Sequence, residues 1–531
     1  MPDLDQPSRA ELFAKLDARG EPFDVAVIGG GASGLGVAVD AAARGFATAL
    51  FEAEDFAKGT SSRATKLIHG GVRYLARGEI ALVREALRER HLLLDNAPHL
   101  VQPLGFVLPA YGWRGRLWDR FFYGAGLTAY DALAGRARLG RTRLLDAAAA
   151  QAAAPGIRGT DLAGAVCYQD AQFDDARLAL ALARTAVQRG ACVLNHARVT
   201  ALESAAGLHE IEVEDRETGV RRRVRARCVV NATGVWVDGV RRLEEPQADD
   251  LVMPSQGAHL VVGREFFPSD QALLVPRTPD GRVLFAVPWL GSVILGTTDT
   301  PSRETPLEPR PLEAEIEFIL AAAARHLARA PERSDVRSAW AGLRPLVKPA
   351  GAAGRATQRL SREHLVTVSP HGLVTVTGGK WTTYRAMAED VLATCFAKGL
   401  LPARPAGVTR SLRLVGAPPP GDALRPLSAP PGLHLYGSEA PAVAGLPGAD
   451  HELLPGLTEA MVRFAVRKEY ARTVEDVLAR RSRWLFLDAA RSAVAAMTVA
   501  EIMADELGPA FDASRSAAAF VTLARGYLPG T

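Results

Sequence analysis

Residues 24–52 carry the clearest chemistry in the chain. An apolar run at 25–28 breaks at Gly29-Gly30-Gly31-Ala32-Ser33-Gly34, a helix-forming stretch follows, and a second apolar run ends on Glu52. The order is strand, glycine turn, helix, strand, acid. Gly29 permits the tight turn, Gly31 lets backbone N–H groups approach a pyrophosphate, and Gly34 lets helix and strand pack closely. The helix N-terminus, with Ala32 and Ser33 in its first turn, adds partial positive charge for the phosphates. Glu52 can accept hydrogen bonds from an adenosine ribose, and its charge repels a 2′-phosphate. A glycine-rich turn in an ordinary βαβ unit is the competing reading, but strand, helix and acid all stand at the expected spacing. The pattern predicts a bound dinucleotide, FAD or NAD.

The elements that must position this turn are legible in outline. Residues 54–76 form a polar, glycine-bearing connection, and 79–96 a helix ending before Pro98. A strand is expected at 191–200, then alternating strands at 210–213 and 220–230 about a Thr218-Gly219 turn. Cys228-Val229-Val230 runs into Asn231-Ala232-Thr233-Gly234, a second strand-to-glycine turn. Short β-type segments over 251–299 suggest an antiparallel sheet. Strands return at 365–376, followed by Gly378-Gly379-Lys380 and a helix through 391. A Pro- and Gly-rich boundary at 402–450 precedes helices at 458–470, 473–481 and 489–507. Thr473, with Asp476 three residues on, predicts an N-cap for the second. Nucleotide-domain segments thus bracket β-rich sequence. A nicotinamide dehydrogenase would usually keep its Rossmann domain contiguous; a discontinuous one points to a flavin-binding oxidoreductase with an inserted substrate domain.

Composition narrows the class. The 531 residues suit two to four domains, and 48% hydrophobic with 23% charged residues is globular composition. A net charge of +4 gives no argument for nucleic acid. Cys167, Cys192, Cys228 and Cys395 have no metal-type spacing, so buried thiols in a reducing cytosol are expected and no metal. Residues 1–22 form a polar leader without signal-peptide character. No apolar run reaches the roughly 20 residues that span a bilayer. The protein is expected in the cytosol or lying on a membrane without crossing it.

Further motifs make a family resemblance specific. Thr60-Ser61-Ser62 followed by Lys66-Leu67-Ile68-His69-Gly70-Gly71-Val72-Arg73-Tyr74-Leu75 resembles the signature of FAD-dependent glycerol-3-phosphate dehydrogenases of the aerobic, quinone-linked type. Matching blocks follow at 97–100, 174–178, 231–234, 296–299, 342–346 and 378–385, and 473–478 resembles the family's helical cap domain. The resemblance spans about residues 22–510. Arg63-Ala64-Thr65 stands where some members carry small serines, and 351–359 is the least family-like stretch. The implied fold is α/β and α+β: a discontinuous Rossmann-like FAD-binding domain, a β-rich substrate domain and a C-terminal helical cap domain. The expected divisions are a leader at 1–22, FAD-binding parts at 23–100, 191–250 and 341–400, connecting helices with a membrane-contact segment at 101–190, a substrate domain at 251–340 and a helical domain at 401–531.

The resemblance implies that sn-glycerol 3-phosphate loses hydride to FAD and becomes dihydroxyacetone phosphate. Cations must hold the phosphate, a base must take the C2 hydroxyl proton, and C2–H must face the flavin. Arg73, Arg344, Arg362 and Lys380 are the chosen cations, with Tyr74 as a further phosphate partner. Any one arginine could be a solvated ion pair; the surrounding motifs single these out. His69 and His259 suit proton abstraction, and either could equally be a satisfied hydrogen-bonding residue. Arg344 and Lys380 are counted with them as catalytic. The remaining histidines, such as His326, are expected at the surface. Cofactor contacts are expected from Gly29, Gly31, Ala32, Ser33, Gly34, Glu52, Thr60, Ser61, Ser62, Lys66, Leu67, His69, Gly70, Gly71, Val199, Ala232, Thr233, Gly234, Gly379, Lys380, Trp381 and Thr382. Asp299 fits a structural turn better than a base.

Residues 111–144 have the composition of an interfacial anchor. Trp113, Trp118, Phe121, Phe122, Leu127 and Tyr130 accompany seven arginines, against Asp119 and Asp131. A helix packed on the core with a solvated arginine face is the alternative. The family supports the membrane, since its members pass electrons to ubiquinone in the bilayer. The expected partners are glycerol 3-phosphate, a quinone and the cytoplasmic face of the cell membrane, without nucleic acid; a homodimer stays open. An oxidase returning electrons to O2 is the near alternative, and a non-respiratory FAD-binding protein the distant one.

Overall fold

The computed structural model describes residues 7–71, 75, 78–114, 118–205, 207–276, 283–348 and 363–530. Its first sheet is built outward from the strand Phe23–Ile28, whose apolar residues are almost wholly buried. Thr48–Phe51 and then Cys192–Leu194 lie parallel on one side, Arg221–Asn231 and then Val374–Gly378 on the other. His364–Val368 closes that edge antiparallel. Neighbouring strands therefore come from distant parts of the chain, as a discontinuous nucleotide domain requires. Helix Ala32–Ala43 is alanine-rich and buried along most of its length, between helices Asp175–Gln188 and Tyr384–Ala397. Its side chains are small enough for close approach: a Cβ on Gly36 would come within 2.8 Å of the Tyr384 ring. Val25, Val27, Leu35, Val39, Leu178 and Val391 fill the layer between.

The second sheet has ten strands among the described residues. Val252–Gly263 is its spine, pairing with Ser292–Gly296 on one edge and Ser338–Val347 on the other. Two expected divisions change here. The 101–190 segment, expected as connecting helices, supplies the strands Val101–Tyr111, Arg143–Leu145 and Leu162–Phe173 to this sheet. Residues 341–347, expected with the FAD-binding part, also belong to it, as the end of strand Ser338–Val347, which pairs with Val252–Gly263 over a ten-pair register. The single strand expected at 191–200 is two. Cys192–Leu194 ends at Asn195, whose amide turns inward to Asp55 at 2.9 Å, and Ala197–Ala205 leaves to form a hairpin with Leu208–Asp215.

The C-terminal helices dock through buried charge. Thr473 and Asp476 bond reciprocally, amide to side chain, at 3.0 and 3.2 Å, giving the expected N-cap. The turn after it, Asp476–Arg481, is widened to π-helix. It points Arg480 and Arg481 at Asp55 of the nucleotide domain, and Arg481 Nη2 donates to Asp55 Oδ1 at 3.0 Å. Arg177 meets Glu469 at 2.7 Å across the same boundary. Helix Ala489–Leu507 spans the residues expected of it, and Asp488 caps it by accepting from the Arg491 amide. The expectation that the lesser histidines lie at the surface fails for His99 and His209, which are buried; His99 packs against Gly416 and Gly437, where a Cβ would occupy its space. His326 is half-buried against the ring of Tyr111.

Asp55 is fully buried beneath two guanidinium groups, so removing it leaves Arg481 without its carboxylate in the interior, while Arg480 keeps Glu475 and Asp476. Asp55→Ala should destabilise the protein by at least about 3–5 kcal/mol in urea denaturation. A loss below 1 kcal/mol would show that these pairs do not hold the domains together.

Candidate active site

The glycine turn takes its shape from what stands beside it. Gly29 adopts φ +108°, and its amide donates to the Phe51 carbonyl at 2.9 Å. A Cβ on Gly34 would collide with the Gly29 carbonyl, and one on Gly30 would come within 2.8 Å of Glu52 and Phe56. These are cradle positions that only glycine fits. The half-buried Glu52 accepts from the amides of Gly30 at 2.6 Å and Glu54 at 2.8 Å, and desolvation pushes its pKa up. Ala197 donates to the Glu52 carbonyl at 2.8 Å, which sets the strand bearing Val199 beside the acid. Ala232 donates to the Ile28 carbonyl at 2.9 Å, bringing 232–234 alongside Gly29. The ends of three parallel strands thus converge on one crevice, where dinucleotides bind in such sheets.

The loop after Glu52 is held over the crevice. Ser61 Oγ accepts from the Ala32 amide at 2.9 Å at the helix N-terminus, while the Trp381 indole donates to the Ser61 carbonyl at 2.8 Å. Thr60 donates to the Leu343 carbonyl at 2.5 Å. Thr382 Oγ1 accepts from the His69 amide at 3.3 Å and returns to its carbonyl at 3.4 Å. The residues expected at the cofactor, including Gly70, Gly71, Leu67 and Gly379, are thereby on or beside one loop system. The Lys66 ammonium is buried and committed to Asp175 and the Ser62 carbonyl, each at 2.7 Å. Burial pushes its pKa down to about 7.

The second sheet brings Arg344 and His259 to the same place. Arg344 pairs with Ser255 in the strand register and lies over Gly257, where a Cβ would strike its guanidinium. Nη2 donates to Thr297 Oγ1 at 3.2 Å and the Thr298 carbonyl at 3.1 Å, and Nη1 lies 3.5 Å from Asp299 Oδ1. Asp299 also accepts from Ser255, in keeping with a structural role. His259, two residues beyond Gly257, is buried, stacked on Trp340 at 4.2 Å and bonded through Nε2 to Thr65 Oγ1 at 2.9 Å. Burial, then Arg344 and Lys66, hold its pKa well below the ordinary value. His69 is half-buried. Lys380 is half-buried at the end of Val374–Gly378. Arg73, Tyr74 and Arg362 lie outside the described residues.

Sequence reasoning missed Thr65 and Trp340. Thr65 lay beside a recognised block, and its hydroxyl was the available signal. Trp340 had none, because only the register across strands sets it opposite His259.

Of the residues expected to anchor the chain to a membrane, Trp113, Trp118, Phe121 and Phe122 are 67–76% exposed. Leu127 and Tyr130 depart from that expectation: both are 1% exposed, on the inner side of helix Arg120–Ala134. Among the described residues no helix is long and apolar enough to cross a membrane.

Comparison with known proteins agrees with this geometry. Residues 24–385 match the FAD dependent oxidoreductase family, and 424–514 match the C-terminal domain of alpha-glycerophosphate oxidase. A probable mitochondrial glycerol-3-phosphate dehydrogenase of Caenorhabditis elegans is 40% identical, covering 94% of this chain and 73% of that protein. The mitochondrial glycerol-3-phosphate dehydrogenase of Arabidopsis thaliana is 39% identical, covering 95% and 86%. The crystal structure of glycerol-3-phosphate dehydrogenase from Bacillus halodurans, complexed with FAD, superposes with a TM-score of 0.77 at 28% identity over 98% of both chains. FAD is the cofactor, and the cradle of Gly29, Gly30, Gly34 and Glu52 fits it.

A depressed His259 pKa means a ring that stays neutral while ordinary histidines gain a proton, below about pH 6.5. Its nitrogen resonances should therefore not titrate between pH 8 and 5.5 by NMR, with assignment by His259→Asn. A midpoint at or above 6.5 would contradict this environment. On these grounds the chain belongs to the FAD-dependent glycerol-3-phosphate dehydrogenase family.

Proposed function

We propose that the protein oxidises sn-glycerol 3-phosphate to dihydroxyacetone phosphate and passes the electrons to a quinone in the membrane. FAD, when bound, supplies the hydride acceptor for C2–H. The observation that carries the reading is the placement of Arg344. Its guanidinium is fixed by two carbonyls and a threonine, stays partly exposed, and shares a sheet face with His259 under the 60–71 loop. A planar guanidinium grips phosphate in a bidentate fork, and Lys380 adds a point charge. Arg73, Tyr74 and Arg362 complete the phosphate site in this reading. The C2 hydroxyl proton goes to a neutral histidine. His69 is the more exposed of the two, and His259 is kept uncharged by burial beside two cations.

The surface supports an acceptor in the membrane. Four aromatics between 113 and 122 stand exposed, with Arg136, Arg138, Arg141 and Arg143 exposed in the following segment. Aromatic rings at the headgroup level and arginines on anionic lipid support reversible attachment to the cytoplasmic face of the membrane. The match of 424–514 to an oxidase C-terminal domain favours a second reading, in which O2 takes the electrons.

Arg344→Ala should lower kcat/KM for glycerol 3-phosphate at least about tenfold with FAD retained, from loss of a charge-assisted contact worth roughly 1.5–3 kcal/mol. Unchanged kinetics would remove Arg344 from the site. Joint replacement of Trp118, Phe121 and Phe122 with serine should abolish co-sedimentation with anionic liposomes and lower quinone-linked turnover, while a soluble dye still accepts electrons. Equal binding by both forms would eliminate this surface as the anchor, and rapid peroxide formation in air would favour the oxidase reading.

A further inference from the structure

A buried polar chain stands behind the 69–71 loop. The Gly70 amide donates to the phenol oxygen of Tyr130 at 2.8 Å, and that phenol donates to Asp170 Oδ2 at 2.8 Å. Asp170 Oδ1 accepts from Arg90 Nη1 at 2.8 Å, and Arg90 Nη2 donates to the Ala137 carbonyl at 2.8 Å. Tyr130, Asp170 and Arg90 are each at most 1% exposed, among Val83, Leu87, Leu127 and Tyr168. Four separate segments therefore meet at one backbone N–H. They are helix Ile80–Asn96, helix Arg120–Ala134 with the turn Gly135–Ala137, strand Leu162–Phe173, and the loop itself.

The chemistry of this chain is specific to the loop. Burial and Asp170 push the Tyr130 pKa far up, so the phenol keeps its proton and can donate to Asp170 while accepting from Gly70. A Cβ on Gly70 would collide with the Tyr130 hydroxyl and come within 2.8 Å of Leu87, so the glycine lets the phenol reach the amide. A buried ion pair such as Arg90–Asp170 adds little net stability, because desolvation offsets its attraction. What it does do is fix the phenol in one position. The adjacent residue is held from the nucleotide domain, through Thr382 to the His69 backbone. The loop is thus clamped at successive residues from two sides.

We propose that Tyr130, backed by Asp170 and Arg90, is a positioning residue that sets the 69–71 loop for turnover of glycerol 3-phosphate. This rests on the proposed reaction but concerns residues that do not touch the substrate. Tyr130→Phe keeps the ring against Tyr168, at 6.3 Å between centroids, and removes only the hydroxyl. The purified variant, compared with wild type as FAD-loaded full-length protein, should keep its FAD content and melting temperature within a few degrees. Its kcat/KM for glycerol 3-phosphate should fall at least about fivefold, mostly in KM, while the KM for a soluble dye acceptor stays unchanged. Hydrogen exchange should accelerate at least about tenfold in the peptide containing 69–71 and nowhere in the first sheet. Unchanged exchange at that peptide, or unchanged kinetics, would overturn the proposal. So would loss of FAD or of the folded state, since the role would then be general stability. A wild type inactive on glycerol 3-phosphate would overturn the reaction, and the exchange comparison would still decide whether Tyr130 holds the loop.

Discussion

The site depends on one carboxylate, that of Asp175. It is wholly buried at the start of helix Asp175–Gln188, where Asp174 caps the helix and the terminal dipole favours negative charge. It accepts from Lys66 Nζ at 2.7 Å and Arg483 at 3.0 Å, and from the Ala64 amide at 3.1 Å. One side chain thereby joins the crossover helix, the loop over the flavin cradle and the C-terminal domain. The consequences run outward in order. Lys66 lies 4.8 Å from the centre of Trp340, Trp340 stacks on His259, and His259 bonds Thr65 from the same loop. An ammonium held by Asp175 under an aromatic ring thus contributes to keeping the histidine neutral. Two cations around one buried carboxylate are costly to desolvate, so this arrangement specifies a geometry more than it adds stability.

How much of this the sequence revealed depends on the range of the interaction concerned. The glycine turn, Glu52 and the 489–507 helix are local patterns with periods and caps, and they stand where the sequence placed them. The division into domains was harder. A strand such as Ser338–Val347 has the same alternation whichever sheet it joins, and only pairing with Val252–Gly263 decides that Arg344 lies opposite Ser255, on the same sheet face as His259. Lys66 sits inside the most specific motif of the chain, yet its ammonium is committed to a partner more than a hundred residues away. Trp340 and Tyr130 matter through contacts across strands and layers that no spacing encodes.

Charge shows the same limit. Arg177, Arg480, Arg481 and Arg483 are buried in ion pairs that fasten the C-terminal helices, whereas Arg136, Arg138, Arg141 and Arg143 are exposed beside an aromatic surface. The residue type is identical, and only fold context separates a structural rivet from a candidate lipid contact. Helix Arg120–Ala134 makes the point on a single element. Phe121 and Phe122 face outward, while Tyr130 reaches inward to the loop that the proposed chemistry needs. Surface and site are therefore built on one helix.

The most direct test of the central claim is an anaerobic reduction of the FAD-loaded protein by its proposed substrate. Addition of sn-glycerol 3-phosphate should bleach the flavin absorbance near 450 nm and release one dihydroxyacetone phosphate per flavin, while glycerol at the same concentration leaves it oxidised. Flavin that stays oxidised with glycerol 3-phosphate, in protein that dithionite still reduces, would contradict the account.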